Sequence, residues 1–298
     1  MPQLKKFLLN LLQEPVSGKP FVINGSVLSA NSKDFDIVEG VPVILYKDNL
    51  ISSEDQLHKN MDTKFDYIEH YQRDADTYDY FQPYECEATN DEFRRIHQAI
   101  AKYVSSTSQI ILDVGCGSAW VAKKYSTDSK VVSVDISIKN TSEALRRYSN
   151  KNHAAVVADV FNLPFKPESF DTIIASEIIE HLANPALFIQ NLLLLLKPDG
   201  KLIITTPYNE KIEYQLCVHC NKPTPKHAHL HTFNLENIKL IIPKDKHYQT
   251  LVFGNKYLGR LRTHILLGWM PFDLWRIFDK ITNLIFNKPI RFLICITK

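Results

Sequence analysis

The chain has 298 residues, 45% of them hydrophobic, enough to bury one large core or one core with a small appendage. Its 35 basic and 33 acidic residues nearly cancel, so the molecule as a whole is no polyanion binder by its field alone, and a nucleic-acid acceptor is disfavoured. Five scattered cysteines make no disulfide framework and suit a reducing cytoplasmic setting. At the start, Met1 to Gln13 is too short, and lacks the small-residue cleavage site, for a signal peptide. No run of about 18 uncharged apolar residues is present to span a membrane.

Residues 1–50 read as a small β appendage: Phe21 to Leu28 and Phe35 to Leu45 alternate apolar and polar positions around glycine turns. Residues 51–298 read as a second unit, with a core at 95–210 and insertions at 207–233 and 259–286. Residues 47–90 are charged and rich in aromatics, including Phe65, Tyr67, Tyr71, Tyr80 and Tyr84. Asp91 to Val104 is helical in pattern. From 110 to 206 strands and helices then alternate, which predicts an α/β fold with a doubly wound, Rossmann-like sheet of seven strands and helices on both faces. The last strand is placed at Arg291 to Ile296.

Ile111-Leu112-Asp113-Val114-Gly115-Cys116-Gly117 carries the most information. An apolar strand ends in an acid and then in Gly-x-Gly, so the chain can turn sharply into a helix while a ligand approaches the backbone. The next strand, Lys130 to Val134, ends in Asp135 followed by Ile136. An acid about twenty residues beyond the first glycine accepts hydrogen bonds from ribose hydroxyls. A third strand ends in Asp159-Val160, and a fourth runs from Phe170 to Ser176-Glu177. Both a nicotinamide dinucleotide and S-adenosylmethionine fit such a series. Trp120 stands where the dinucleotide fingerprint needs a third glycine for close helix packing, which disfavours the former.

Over roughly 95–210 this series resembles the class I S-adenosylmethionine-dependent methyltransferases. The resemblance implies that Asp113, Gly115, Cys116 and Gly117 lie along the methionine half of the donor. It implies that Asp135 and Ile136 hold the ribose, that Asp159 and Val160 meet the adenine, and that Ser176 and Glu177 stand beside the reactive methyl. Ala119 departs from the third glycine of many members. The aromatics of 47–90 would form helices capping the donor, where a ring can shield the sulfonium; the competing expectation is that most simply pack on the core. The N-terminal segment is similar to the zinc-ribbon-type module of tRNA-methyltransferase activators, but without its cysteines it must hold together by packing.

Glu177, Glu180 and His181 in Ser-Glu-Ile-Ile-Glu-His project from one face if their segment is helical. The pattern resembles the Glu-x-x-Glu-His of ubiquinone-pathway O-methyltransferases and small-RNA 2′-O-methyltransferases, in which a further histidine arrives after the fifth strand. His229 is chosen for that role from His227, His229 and His231. Two carboxylates and imidazoles suit a divalent cation such as Mg or Zn, which lowers the pKa of an acceptor hydroxyl. Without metal, His181 is the general base, with Glu180 beside it. Cys217 and Cys220 with His229 make a second, competing candidate for zinc.

The 259–286 insertion contains an amphipathic helix after Pro271, with Phe272, Leu274, Trp275, Phe278, Ile281 and Ile285 as its apolar stripe. Asp273, Arg276, Lys280 and Asn283 are expected to face away. Core packing or a lid over the acceptor competes with shallow contact with a membrane surface, which Lys256, Arg260 and Arg262 favour. The expected activity is methyl transfer from S-adenosylmethionine to a small or lipid-linked acceptor oxygen. An RNA 2′-O-methyltransferase and a non-catalytic cofactor-binding partner are the alternatives. Oligomeric state is not legible.

Overall fold

The computed structural model describes residues 4–46, 67–216 and 223–298. Helix α1 (Lys6–Leu11) leads into strands β1 (Val22–Asn24), β2 (Val27–Ala30), β3 (Lys33–Val38) and β4 (Val41–Ile44). Helices α2 (Tyr67–Thr77) and α3 (Glu87–Ala101) precede the alternating core: β5 (Ile110–Val114), α4 (Trp120–Tyr125), β6 (Lys130–Asp135), α5 (Ile138–Arg147), β7 (His153–Ala158), β8 (Phe170–Ser176), α6 (Pro185–Leu195) and β9 (Leu196–Pro207). The Cys/His insertion contributes a small hairpin, β10 (Tyr214–Leu216) and β11 (Pro223–Pro225). The chain closes with β12 (His247–Asn255), helices α7 (Lys256–Arg260), α8 (His264–Leu267) and α9 (Phe272–Phe286), and β13 (Pro289–Thr297).

The expected seven-stranded sheet and the separate β appendage form one continuous sheet. Among the described residues the sheet has eleven strands, in the order β1-β2-β3-β4-β7-β6-β5-β8-β9-β13-β12. Seven of these form the doubly wound part. The other four are added because β7 would otherwise present an open parallel edge; β4 pairs with it through Val43 and Ile44. Leu8, Leu12, Leu28 and Phe35 then join the same buried cluster as the core strands. Glu14 is buried beneath this segment, accepting a hydrogen bond from the Tyr46 hydroxyl.

The central strands read as continuous apolar runs because both faces are covered. In β5, Ile111 packs with α3, α4 and α9, whereas Leu112 and Val114 pack on the opposite face with α6. Local signals set the helix starts. Asn184 accepts the Leu187 amide at 3.0 Å with Pro185 at the first helical position, and Ser137 accepts the Asn140 amide at 3.3 Å. Between β11 and β12 the chain forms a 3-10 turn, Asn237–Leu240. The Asn234 side chain caps it by accepting the Glu236 and Asn237 amides.

The strand order reverses at β5 and β8, which opens a crevice at the carboxyl ends of the parallel strands. Strand β13 runs antiparallel, with Arg291 opposite Pro207, so its first residues reach that same edge.

Helix α9 departs from its expected orientation. Phe272 and Trp275 face inward, but so do Arg276, Asp279 and Asn283; Leu274, Phe278, Ile281 and Ile285 face solvent. Two polar ties hold it this way. Arg276 pairs with the fully buried Asp279, and the Asn255 amide donates to the Asn283 side-chain oxygen at 2.7 Å. Desolvation pushes the Asp279 carboxyl up to about 6 despite Arg276. Arg95 locks the module to α3: it donates to the Leu267 and Met270 carbonyls at 2.8 Å each and lies 4.9 Å from the Trp275 ring centroid.

His153 at the start of β7 is fully buried. Its Nδ1 faces the Tyr148 carbonyl at 3.0 Å and must donate, so Nε2 accepts from the Ser133 hydroxyl at 3.0 Å. Burial holds this imidazole down to about 4, against an ordinary 6.5. The unfolded chain therefore binds a proton that the fold refuses. Stability from this group is complete above pH 6.5 and is lost as pH falls toward 4. Urea unfolding across that window should show falling stability, and His153→Gln should flatten the slope by up to about 1.4 kcal/mol per pH unit. An unchanged slope would show that His153 does not contribute to it.

Candidate active site

The turn after β5 is built from backbone that only glycine adopts readily. Gly115 has φ +68°, and a Cβ there would stand 2.6 Å from Ile178 Cδ1; Gly117 has φ +44° with Tyr80 above it. Ala119 follows in the left-handed region at φ +52° and opens α4. Cys116 is buried, its amide donating to the Val134 carbonyl at 2.9 Å, and burial pushes its thiol up. Trp120, the misfit to a dinucleotide fingerprint, stacks on His97 at 4.0 Å.

Three acids close the neighbouring strands. Asp135 accepts the Gly117 and Ser137 amides, each at 3.0 Å, and thereby points into the glycine turn. Burial raises its pKa, while those two amides pull it back. Asp113 is buried with its Oδ2 unpartnered among the described residues, and burial together with Asp135 lifts its pKa well above the carboxylate range. Asp159 accepts the Phe161 amide at 3.1 Å and the Tyr67 hydroxyl at 2.6 Å. Ile136 and Val160, next to Asp135 and Asp159, are half-buried.

Several aromatics of the segment before the core lie over this edge. Phe65 falls outside the described residues. Tyr67 reaches Asp159, Tyr80 covers Gly117 while bonding Asp74, and the Tyr71 ring stands 6.0 Å from that of His181. Burial, with Asp74 beside both, holds the Tyr71 and Tyr80 hydroxyls well above the usual phenol range, so both are neutral donors. Tyr84 instead stacks on Phe93 of α3 at 4.8 Å.

After β8 the chain does not run straight into a helix. Glu177 takes φ +55°, and only Ile179–His181 forms a 3-10 turn. That kink separates residues expected to share one face. Ser176 meets the Thr205 hydroxyl at 2.9 Å. Glu177 turns to Arg291 and is not among the three residues, Glu180, His181 and His229, whose ligand atoms converge. Arg291 also donates from Nε to Glu92 of α3 at 2.6 Å. Burial works against the Arg291 charge, but Glu177 and Glu92 outweigh it and its pKa is raised. Burial raises the Glu177 carboxyl too, with Arg291 opposing.

Glu180, His181 and His229 do come together, with one ligand atom from each lying within 4.8 Å of the others. Each is held by a neighbour. Glu180 is buried and accepts the Thr206 hydroxyl at 3.1 Å, while its backbone carbonyl takes the Leu230 amide at 2.8 Å and so pins the histidine loop. His181 Nδ1 faces the Ala228 carbonyl at 3.3 Å, and His229 Nδ1 faces Glu210 at 2.5 Å. Both arrangements leave Nε2 as the outward atom. Burial and His229 lower His181 to about 4. Burial and then Glu177 raise Glu180 well above its usual range, and the His229 bond lowers Glu210. Cys217 and Cys220 lie outside the described residues. His227 is exposed, and the His231 amide bonds the Glu180 carbonyl at 3.2 Å.

Sequence reasoning missed Arg291, Glu92, Glu210 and Thr206. Arg291 and Glu92 are separated by 199 positions, so no local spacing could pair them. The clue for Arg291 was its place at the start of an apolar closing strand, where a charge has no packing use.

Residues 112–204 match the family model described as a methyltransferase domain. A ubiquinone biosynthesis O-methyltransferase of Rickettsia prowazekii is 32% identical over 130 residues, 40% of this chain and 50% of that protein. The mitochondrial one of Rattus norvegicus is 33% identical over 113 residues, 36% of this chain and 33% of that one. The chain thus spans about half or less of these O-methyltransferases. An uncharacterised protein of Methanocaldococcus jannaschii is 23% identical over 202 residues, 68% of this chain and 84% of its own. In fold, a candidate S-adenosylmethionine-dependent methyltransferase from Listeria monocytogenes has a TM-score of 0.50 at 13% identity, covering 69% of this chain and 99% of that one. Residues 112–204 thus carry a methyltransferase domain.

Arg291 bridges two otherwise uncompensated acids, so Arg291→Met should cost about 3–5 kcal/mol, read as a lowered urea midpoint. Arg291→Lys should restore only part of this, because one ammonium cannot reproduce the two-armed contact. A midpoint unchanged by Arg291→Met would show the pairs to be absent in solution.

Proposed function

We propose that this protein transfers the methyl group of S-adenosylmethionine to a hydroxyl of a small-molecule acceptor, with Glu180, His181 and His229 on the acceptor side. The observation that carries this reading is the convergence of that histidine–carboxylate group with the Gly115–Gly117 turn. Ile178, two residues before Glu180, packs directly on Gly115. The names of the relatives, O-methyltransferases of ubiquinone biosynthesis, support an oxygen acceptor of low molecular weight, and one attached to a lipid tail is consistent with them.

The donor fits the residues present. The amides and left-handed glycines leave room where a side chain would intrude, Asp135 would accept from the ribose hydroxyls, and the unpartnered Asp113 oxygen would take a further hydrogen bond from the donor. When bound, S-adenosylmethionine supplies an electrophilic methyl on a sulfonium. The protein's contribution is alignment, since holding two reactants in line removes most of the entropic barrier. Tyr80 and Tyr71 help cover the donor edge and exclude water.

A divalent cation fits the acceptor side. His181 and His229, with Nδ1 held by fixed partners, present Nε2 toward the site, and a cation there would favour the charged form of the Glu180 carboxyl. Tetrahedral zinc ligands stand about 3.4 Å apart, so a spread of up to 4.8 Å must contract somewhat. The cation would supply Lewis-acid activation of the acceptor hydroxyl. The alternative, His181 as general base, is weaker. Proton transfer from a phenol near 10 to an imidazole at about 4 is uphill by about 8 kcal/mol.

Calorimetry with S-adenosylhomocysteine and radiolabelled methyl transfer to a panel of phenols test this. Asp135→Ala should weaken nucleoside binding by about tenfold or more. His181→Ala and His229→Ala should leave that binding intact but lower turnover by about a hundredfold and abolish Mn or Zn retention. Equal loss of nucleoside binding in His181→Ala would make it a support of the donor turn instead.

A further inference from the structure

We infer that the α7–α9 module is a docking platform for an anionic lipid bilayer, a role independent of the methyl-transfer reading. Helix α9 is amphipathic in the inverted sense. Its inward face holds Phe272 and Trp275 alongside Arg276, Asp279 and Asn283. Its outward face carries Leu274, Ile277, Phe278, Ile281, Leu284 and Ile285, between 44% and 84% exposed, with Asp273 and Lys280 at its margin. The apolar residues fall at i, i+3, i+4, i+7, i+10 and i+11, one continuous stripe on the solvent side. Leu261, Ile265, Leu266 and Trp269, around α8, add four more side chains that are 68–75% exposed. Patches of this extent on a soluble surface mark an interaction site.

The orientation is not an accident of loose packing. The buried Arg276–Asp279 pair, the Asn255–Asn283 bond and the Arg95 clamp fix which face points outward. Turning the helix over would strand Asp279 and bury charge against the core.

Charge decides the occupant. Lys256, Arg260, Arg262, Lys280 and Lys288 are exposed in this segment. Its only two acids are engaged with cations, Asp273 with Lys102 and Asp279 with Arg276. A symmetric dimer through this patch would bring both sets of cations to one interface, which repel. A surface that is anionic at its headgroups and apolar beneath complements both features, and Trp269 suits the boundary between them. No helix of the described residues is long and apolar enough to cross a membrane, so contact would be with one leaflet. Helix α3 carries both Arg95, which grips the platform, and Glu92, which reaches Arg291 and through it Glu177, so the platform is rigidly joined to the site.

Co-sedimentation with vesicles of phosphatidylcholine, alone or mixed with phosphatidylglycerol, tests the proposal on the full chain, with sedimentation velocity run in parallel. The protein should pellet with the mixed vesicles, do so less as salt rises, and shift Trp269 emission to the blue. Ile277→Glu with Ile281→Glu should weaken binding by about tenfold or more, since two apolar side chains leave the bilayer. Arg260→Glu with Lys280→Glu should remove the preference for phosphatidylglycerol. Both pairs are exposed, so thermal melting should match the parent. Failure to pellet with mixed vesicles overturns the proposal. So does a lipid-free dimer that the Ile277/Ile281 variant converts to monomers while vesicle binding is unchanged.

Discussion

The hydrogen bond from the Gly117 amide to Asp135 holds the centre of this molecule together. It ties the turn after β5 to the end of β6, beside the point where strand order reverses. A turn with two left-handed glycines has high conformational freedom and would be costly to order by itself. Clamping it to a neighbouring carboxylate, and packing Ile178 on Gly115, fixes its backbone without filling the space in front of it. The remaining parts of the edge take their positions from that fixed turn.

Around it the protein concentrates charge in poorly solvated ground. Asp113, Asp135, Glu177 and Glu180 all have raised pKa values, with burial the largest cause, and Arg291 is the cation that opposes it most directly at Glu177. Clusters of this kind are expensive for folding and are typical of functional edges. The antiparallel closing strand explains how Arg291 comes to be there. Only a reversed β13 places its first residues beside the carboxyl ends of parallel strands.

Much of this was legible in the sequence, because its signals are local. Asp113 to Gly117, Asp135 and Asp159 follow from strand ends and turn chemistry, and Glu180, His181 and His229 lie on adjacent segments of one family-like pattern. What was not legible depends on distance or on competition. The Glu92–Arg291–Glu177 chain joins three remote elements. The Glu177 kink overrides helical spacing because a left-handed residue redirects its side chain. The four strands of the β appendage follow from alternation, but their joining the main sheet through β4 and β7 depends on an edge that periodicity does not reveal. Helix α9 was legible only in part, because periodicity left its stripe open between the core, a lid and a membrane surface, and only Phe272 and Trp275 of that stripe point inward. Asp279 and Arg276 satisfy one another inside, leaving the rest of the apolar stripe outside.

The most direct measurement is a two-dimensional amide NMR titration of the isotopically labelled protein with S-adenosylhomocysteine. Resonances of Gly115, Gly117, Ile136 and Val160 should move together and saturate, while those of the outward face of α9 stay still. Perturbation confined to other surfaces, or none at all, would contradict a donor cradle at the end of β5.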